Sequence, residues 1–353
     1  MIQLFKDVRL DWLANRRLFI TISLVLMLAG LASAVIRQAT GHAPFNLGVD
    51  FKGGTVITAE FKQQPSAEAI RAALVSKGVR DAVIQPVTNK NQVLIKLPQQ
   101  ATSENGAPEA QAQVDAGRTK VKQSLDSFGA ENEAYKIIGT DAVGPVAGRQ
   151  LRNQAIAVTL LALVGMLLFI AFRFEWTYGA AAVIAVFHDV LVTLGIFSIM
   201  QWEIDLTVIA ALLTLVGFSV NDTIVTFDRV RENLRLHRRE SLYNITNTSI
   251  NQTLSRTIIT SGLVLLSVIA LVLFGGEVLR GFSLALLIGI IFGTYSSIAI
   301  ASPIMVWWQQ RLDVNRARTA PPSSNTGRTT ARQPARSRAR AGGVNEPQGV
   351  AHS

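Results

Sequence analysis

Six long runs that carry almost no charge leave this chain few folds. Residues 18–36 lie between Arg17 and Arg37, and 153–172 between Arg152 and Arg173. Run 176–202 holds only His188 and Asp189, and run 206–227 only Asp222. Runs 257–276 and 281–310 hold no charge. A helix needs roughly 20 apolar residues to cross the hydrocarbon core, so each run is long enough to span a bilayer. In lipid every backbone N–H and C=O must be satisfied inside the segment, which an α-helix achieves. Charged residues make up 16% of the chain, against about 25% for globular domains. The first run, with a basic front and Ala32-Ser33-Ala34, has the look of a secretory leader. Its uncharged length exceeds an h-region of about 7–15 residues, and five more spans follow. It reads as a retained helix, a cleaved leader being the alternative.

Short segments between the spans orient them. Lys6, Arg9, Arg16 and Arg17 precede the first span, and Arg173 separates the second from the third. Arg229, Arg231, Arg235, Arg238 and Arg239 follow the fourth, and an arginine-rich tail follows the sixth. All fall on one side of a six-span chain. By the Lys/Arg rule that side is cytoplasmic, with both termini inside. The expected division is a cytoplasmic interfacial segment over 1–16, a first span over 17–37, an external domain over 38–150, five spans over 151–310 and a disordered tail over 311–353. The tail supplies +6 of the net charge of +10. Its expected partner is anionic membrane lipid, with ribosomal RNA or another acidic partner as the alternative; no specific nucleic acid is implied. Residues 1–15 place Leu4, Phe5, Val8, Trp12 and Leu13 at helical spacing, which suggests a helix lying on the membrane face. The chain has no cysteine, which removes disulfides and thiolate metal sites.

The external segment reads as a small α+β domain. Residues 55–61 are β-rich, 66–77 have helical spacing with Ser66 as N-cap and Gly78 as stop, and 82–88 with 92–97 flank the hairpin signal Asn89-Lys90-Asn91. Residues 108–128 look helical and 135–143 form a last strand. The order βαββαβ fits a ferredoxin-like split βαβ unit. No His/Asp/Glu cluster has metal spacing, so binding is the expected role of this domain.

Chemistry is expected where charge enters the spans. Asp222 lies about 16 residues into the fourth span, roughly 24 Å from its outer end. If the fifth helix begins near Thr248, Arg256 is about two turns in and the two charges share a depth. Ionisable groups inside spans face a bundle interior and mark ion or proton paths. Burial and a nearby cation act in opposite directions on a carboxyl group, and arginine cannot give up its proton. Arg256 can therefore only approach or withdraw, which ties protonation of Asp222 to helix position. A static buried ion pair is the competing reading. Ser219, Asn221 and Thr223 beside Asp222 suggest a hydrated path. His188-Asp189 lies near the middle of the third span and reads equally as a relay or as helix packing. Gly289 and Gly293 form a GxxxG, best read as close packing. No nucleotide-binding or hydrolase motif is present, so energy must come from a gradient or a partner.

Several of these residues stand in longer matching motifs. They are Gly48-Val49-Asp50-Phe51-Lys52-Gly53-Gly54-Thr55, Val143-Gly144-Pro145-Val146, Phe187-His188-Asp189, the run from Gly217 to Arg229, Asn251-Gln252-Thr253-Leu254-Ser255-Arg256-Thr257 and Gly293-Thr294-Tyr295-Ser296-Ser297. Over residues 1–312 the chain resembles the SecF side of the SecD/SecF family of the resistance–nodulation–division (RND) superfamily. The resemblance implies an α-helical polytopic protein of the inner membrane, six spans forming half of an RND-type twelve-helix bundle, with an external ferredoxin-like domain. It implies SecD as partner, assistance to the SecYEG channel and the SecA ATPase, and action on an emerging preprotein late in translocation. The proton gradient stands where a cofactor would, no enzymatic activity is implied, and no metal is expected. By position Asp222 and Arg256 match the family's membrane-embedded charged pair. Asp50, Gly53 and Gly54 belong to the external-domain motif. The chain matches the second half alone, as in species where the halves are separate. An RND-type small-molecule or lipid exporter is the alternative, and a passive scaffold a third reading.

Overall fold

The structure, a computed structural model, describes residues 10–79, 82–87, 91–98, 110–143, 145–173 and 176–319. Met1–Arg311 forms one compact unit and Leu312–Ser353 a second. Six helices among the described residues are long and apolar enough to cross a membrane. Helix α1 (Arg16–Ala39) comes first, and a sheet domain follows it. The other spans lie in α5 (Pro145–Arg173), α6 (Trp176–Met200), α7 (Leu206–Leu236), α8 (Leu242–Phe274) and the pair α9 (Arg280–Ser296) and α10 (Ser302–Thr319). A π-helical turn, Ser297–Ala301, joins the last two into one span. α6, α7 and the α9–α10 span are half buried or more, whereas α1, α5 and α8 present mostly exposed Leu, Ile, Val and Phe. The first group forms the inside of the bundle, the second its apolar outer wall.

Small residues set the closest approaches. A Cβ on Gly30 of α1 would lie 2.4 Å from the Gly195 Cα of α6, so only glycine fits that crossing. A Cβ on Gly289 of α9 would lie 2.6 Å from Leu215 Cδ2 of α7. The packing reading of this GxxxG therefore has a named partner. Two side-chain caps start the long helices: Asp205 Oδ1 accepts from Val208 N (2.9 Å) at α7, and Ser241 Oγ from Asn244 N (3.2 Å) at α8. Such caps satisfy amides that have no partner inside the helix.

The sheet domain contains β1 (Asn46–Leu47), α2 (Val49–Lys52), β2 (Gly54–Phe61), α3 (Ala67–Ser76), β3 (Val83–Val87), β4 (Gln92–Pro98), α4 (Ala110–Leu125) and β5 (Tyr135–Val143). The four longer strands pair antiparallel in the order β3-β4-β2-β5, the ferredoxin-like arrangement. Alternate residues Ile57, Ala59 and Phe61 of β2 point inward against Ile70, Leu74, Ile95, Val121 and Leu125. Burying a side chain of this kind contributes roughly 1.5–3 kcal/mol. Tyr135 is buried with them and its hydroxyl donates to Asp126 Oδ1 at 2.7 Å. Burial, aided by that carboxylate, pushes the phenol's ionisation upward. The expected cap at Ser66 and stop at Gly78 (φ +83°) both occur.

The structure departs from the sequence reading at the end of the bundle where α7 finishes and α8 begins. Among the described residues of this segment, 12–15 form turns instead of a surface helix, and Leu13 is buried in the bundle core. Trp12 N and Nε1 donate to Asn247 and Asn251 of α8, and both asparagines donate back to Leu10 O. Those hydrogen bonds hold the segment on protein. Residues 1–9, the hairpin turn at 88–90, Gly144 and the tail beyond 319 lie outside the described residues. α7 runs on to Leu236, and α8 begins at Leu242 rather than near Thr248. Asn233 Nδ2 ties the two extensions, donating to Ser249 Oγ (2.8 Å) and Gln252 Oε1 (2.9 Å).

Candidate functional site

α7 carries Ser219, Asp222, Thr223 and Thr226 at i, i+3, i+4 and i+7, which places them along one helix face. All four are buried. Asp222 looks toward α8, where Ser261 Oγ donates to its Oδ2 at 3.0 Å. α8 meets it with a polar stripe of its own, Ser249, Thr253, Thr257 and Ser261, all buried at spacings of four. The stripe runs from the Asn233 cluster to the carboxylate. Hydroxyls inside a span hold helices together and can also carry a proton between carboxylate and water.

Arg256 lies one residue before Thr257 and is exposed. Its charge acts on the Asp222 carboxylate, yet no direct ion pair joins the two among the described residues. The static ion pair offered as the competing reading is therefore absent. On α8, Arg256 lies five residues before Ser261, the serine that bonds Asp222. Asn221 lies on the exposed face of α7 and does not share the buried strip.

His188 and Asp189 form a second, fully enclosed centre. Asp189 is 0% exposed. Its Oδ1 faces His188 Nδ1 at 2.9 Å, and its Oδ2 accepts from Ser219 Oγ (2.6 Å) and Ser296 Oγ (2.8 Å). Thr223 Oγ1 and Ser297 Oγ lie 2.9 Å apart just beyond. Thus α6, α7 and α9 meet on one carboxylate, at the start of the π-helical turn. Gly293 makes the meeting possible: a Cβ there would lie 3.2 Å from Ser219 Cβ. His188 Nε2 is buried without a hydrogen-bond partner among the described residues. Along α7, Ser219 and Asp222 are about 4.5 Å apart in rise, so the two acids sit about one turn apart.

Asp50, Gly53 and Gly54 are not part of this centre. Asp50 Oδ2 accepts from Leu206 N at 3.0 Å, at the opposite end of α7. Ser261 and Ser296, which bond Asp222 and Asp189, are functional candidates that sequence reading did not single out as contacts of the acids, and Ser297 joins them through Thr223. Their signal was small hydroxyl residues at helical spacing inside apolar runs. No three His, Cys, Asp or Glu side chains gather to hold a metal among the described residues.

Residues 120–311 match the family described as protein export membrane protein SecD/SecF, C-terminal, and residues 39–65 match the SecD/SecF GG motif. The chain belongs to the SecD/SecF family. Similar SecD/SecF proteins include the protein translocase subunit SecF of Koribacter versatilis, 41% identical, with 87% of this chain and 94% of the relative covered. The SecF of Pseudomonas aeruginosa is 38% identical over 84% of this chain and 91% of its own. Among solved structures, SecDF of Thermus thermophilus, a translocon-associated membrane protein, aligns with a TM-score of 0.70 at 37% identity. That alignment covers 86% of this chain and 39% of the SecDF chain. SecDF in a super-membrane-facing form aligns with a TM-score of 0.65 at 36% identity, covering 90% and 41%. The chain thus spans about two fifths of the SecDF chains it matches. The GG-motif match falls on Gly53-Gly54, and the larger match contains Asp189, Asp222, Arg256 and the π-helical turn.

Proposed function

We propose that this chain is a proton-driven subunit of a protein translocase, in which Asp222 loads and releases a proton under the control of Arg256. The observation that carries the reading is a buried carboxylate on α7, held by one serine of α8, with the exposed Arg256 five residues before that serine on the same helix. With the guanidinium near, the carboxylate is stabilised as the anion; with it withdrawn, a buried acid favours the neutral form. Moving one charge through the membrane field supplies about 2.3 kcal/mol per 100 mV, roughly a 50-fold bias on a conformational equilibrium. Protonation and helix position are then one switch, and the sheet domain at the far end of α7 is its output.

The partner proposed is SecD. Arg256 and Asn221 are exposed on membrane-spanning helices. A charge facing hydrocarbon at such depth costs about 2.5–3.5 kcal/mol on insertion scales, which favours a second subunit covering this face. The SecDF relatives join two such halves in one chain. In keeping with the family resemblance, the SecYEG channel, SecA and an emerging preprotein are the further partners. Both termini are placed in the cytoplasm by the positive-inside rule, the sheet domain outside, and the arginine-rich segment against anionic lipid.

The test is Asp222→Asn, which keeps size and hydrogen bonding but cannot cycle a proton. Export of a secreted reporter is expected to lose its dependence on the proton gradient while the variant accumulates in the membrane. Normal gradient-dependent export by a stably inserted variant would refute the reading.

A further inference from the structure

Segment 48–54, the short helix α2 with its flanking glycines, lies between β1 and β2 and is fastened by several contacts to the start of α7. β1 pairs in parallel with β6 (Glu203–Ile204), the two residues just before α7. Gly48 N donates to Ile204 O at 2.8 Å. Lys96 of β4 bonds Glu203 Oε2 at 2.6 Å, with both side chains largely shielded. Phe51 is buried among Ile204, Val208, Ala211 and Leu286. Behind it, Gly148 of α5 lies against the backbone of α2; a Cβ there would sit 3.0 Å from Gly53 N.

The two glycines that follow are required by geometry. Gly53 has φ +80°, and Gly54 has φ +151° with room for a Cβ only 2.3 Å from Leu97 O. They turn α2 sharply into β2, the central strand of the sheet, and β2 is what Lys96 and Leu97 of β4 pair against. α2 is thereby wedged between the sheet and two spans.

Asp50 supplies the polar fastening. The first amides of a helix have no intrahelical acceptor, and their partial positive charge favours a carboxylate. At α7 the local cap Asp205 takes Val208 N, while Leu206 N is taken by Asp50, 156 residues away in sequence. One end of α7 is therefore bonded to the sheet domain, and the buried strip further along the same helix bears Asp222.

We propose that segment 48–54 is a rigid coupling joint, in which Asp50 is a positioning residue that fastens the sheet domain to the first turn of the helix bearing Asp222. The proposal rests on the proton-driven reading for its consequence, and on the contacts above for its existence. Because α7 is one continuous helix from Leu206 to Leu236, a shift of α7 at the acid is delivered at Leu206 and passed to β2 through Asp50 and Phe51.

Two measurements on the full-length chain, co-expressed with its six-span partner, separate these layers. The first is amide hydrogen exchange at Leu206, whose N–H donates to Asp50. Asp50→Ala is expected to raise it about fivefold, as loss of a cap acceptor of ordinary strength does, while Asp50→Asn, which keeps an oxygen acceptor, stays near the parent. The second is the gradient-dependent part of reporter export, read with a switchable tether. The chain lacks cysteine, and Asn46 and Glu203 are register partners on adjacent strands, about 4.8 Å apart and inside the disulfide window. Asp50→Ala is expected to lower gradient-dependent export, and oxidised Asn46→Cys/Glu203→Cys in that background to restore it relative to the same protein reduced. In the Asp50-containing double-cysteine chain, which lacks the Lys96–Glu203 ion pair in both redox states, the oxidised and reduced forms are expected to export alike, which can be read even if Asp50→Ala fails to accumulate. Unchanged exchange in Asp50→Ala, an Asn variant as impaired as Ala, or a tether that stops export would each overturn the joint. If Asp222→Asn exports normally while the exchange result holds, the proton reading falls and the joint stands.

Discussion

The enclosure of Asp189 gives a quantitative prediction. Ser219→Ala removes one hydroxyl donor from a carboxylate oxygen that holds two. Hydrogen bonds between spans contribute about 0.6 kcal/mol on average, and charge assistance roughly doubles that. The single variant should therefore lose about 1.2 kcal/mol, close to an eightfold change in the unfolding constant. Ser296→Ala should lose a similar amount. Both serines share Oδ2, so the pair should not add: with one gone, the other carries more of the carboxylate's needs. A coupling of about 0.5 kcal/mol or more is expected from a double-mutant cycle. Chemical unfolding in bicelles measures it, with Ser267→Ala as the control, because that exposed hydroxyl bonds its own helix at Leu263 O and should change stability by less than about 0.5 kcal/mol. Single variants indistinguishable from the control, or strictly additive ones, would show that Asp189 is not held as described.

Gly30→Leu should prevent α1 from closing on α6, because even a Cβ would lie 2.4 Å from Gly195 Cα. The expected outcome is membrane accumulation reduced severalfold, measured by immunoblot against an Ile20→Leu control on the exposed face of α1. Gly54→Ala combines a backbone angle that L-residues rarely adopt with a clash at Leu97 O. It should destabilise the sheet domain by about 1–3 kcal/mol and speed amide exchange along β2 and β4. Tyr135→Phe leaves Asp126 without its buried donor and should lower stability by about 1 kcal/mol, read as faster exchange in β5.

The spans were legible because hydrocarbon imposes a length and excludes charge, so 206–227 announces itself by composition alone. The split βαβ order was legible from periodicity that changes between two and 3.6 residues, as at Ile57-Ala59-Phe61 and Ile70-Leu74. Asp222 stood out for the same reason the spans did. The rest depended on tertiary facts. Strands of two residues, β1 and β6, have no period to read, so the joint at Asp50 was hidden although its residues were noted. Ser219, Ser261 and Ser296 are ordinary small residues of a span until the packing shows which carboxylate each one faces. Asn221 lies next to Asp222 in sequence and was grouped with it, but one residue turns a helix by about 100°, and it faces outward. The extensions of α7 and α8 are polar, held by Asn233 and Gln252, and lie beyond anything a hydropathy window detects.

Proton loading at Asp222 can be observed directly by pH-difference infrared spectroscopy of the full chain reconstituted with its partner subunit in lipid. A protonated carboxyl band is expected to titrate, to vanish in Asp222→Asn, and to move its midpoint in Arg256→Gln, where the permanent positive charge is lost. A spectrum with no titrating carboxyl band, or a band that survives unchanged in Asp222→Asn, would contradict the assignment of this acid as the proton carrier.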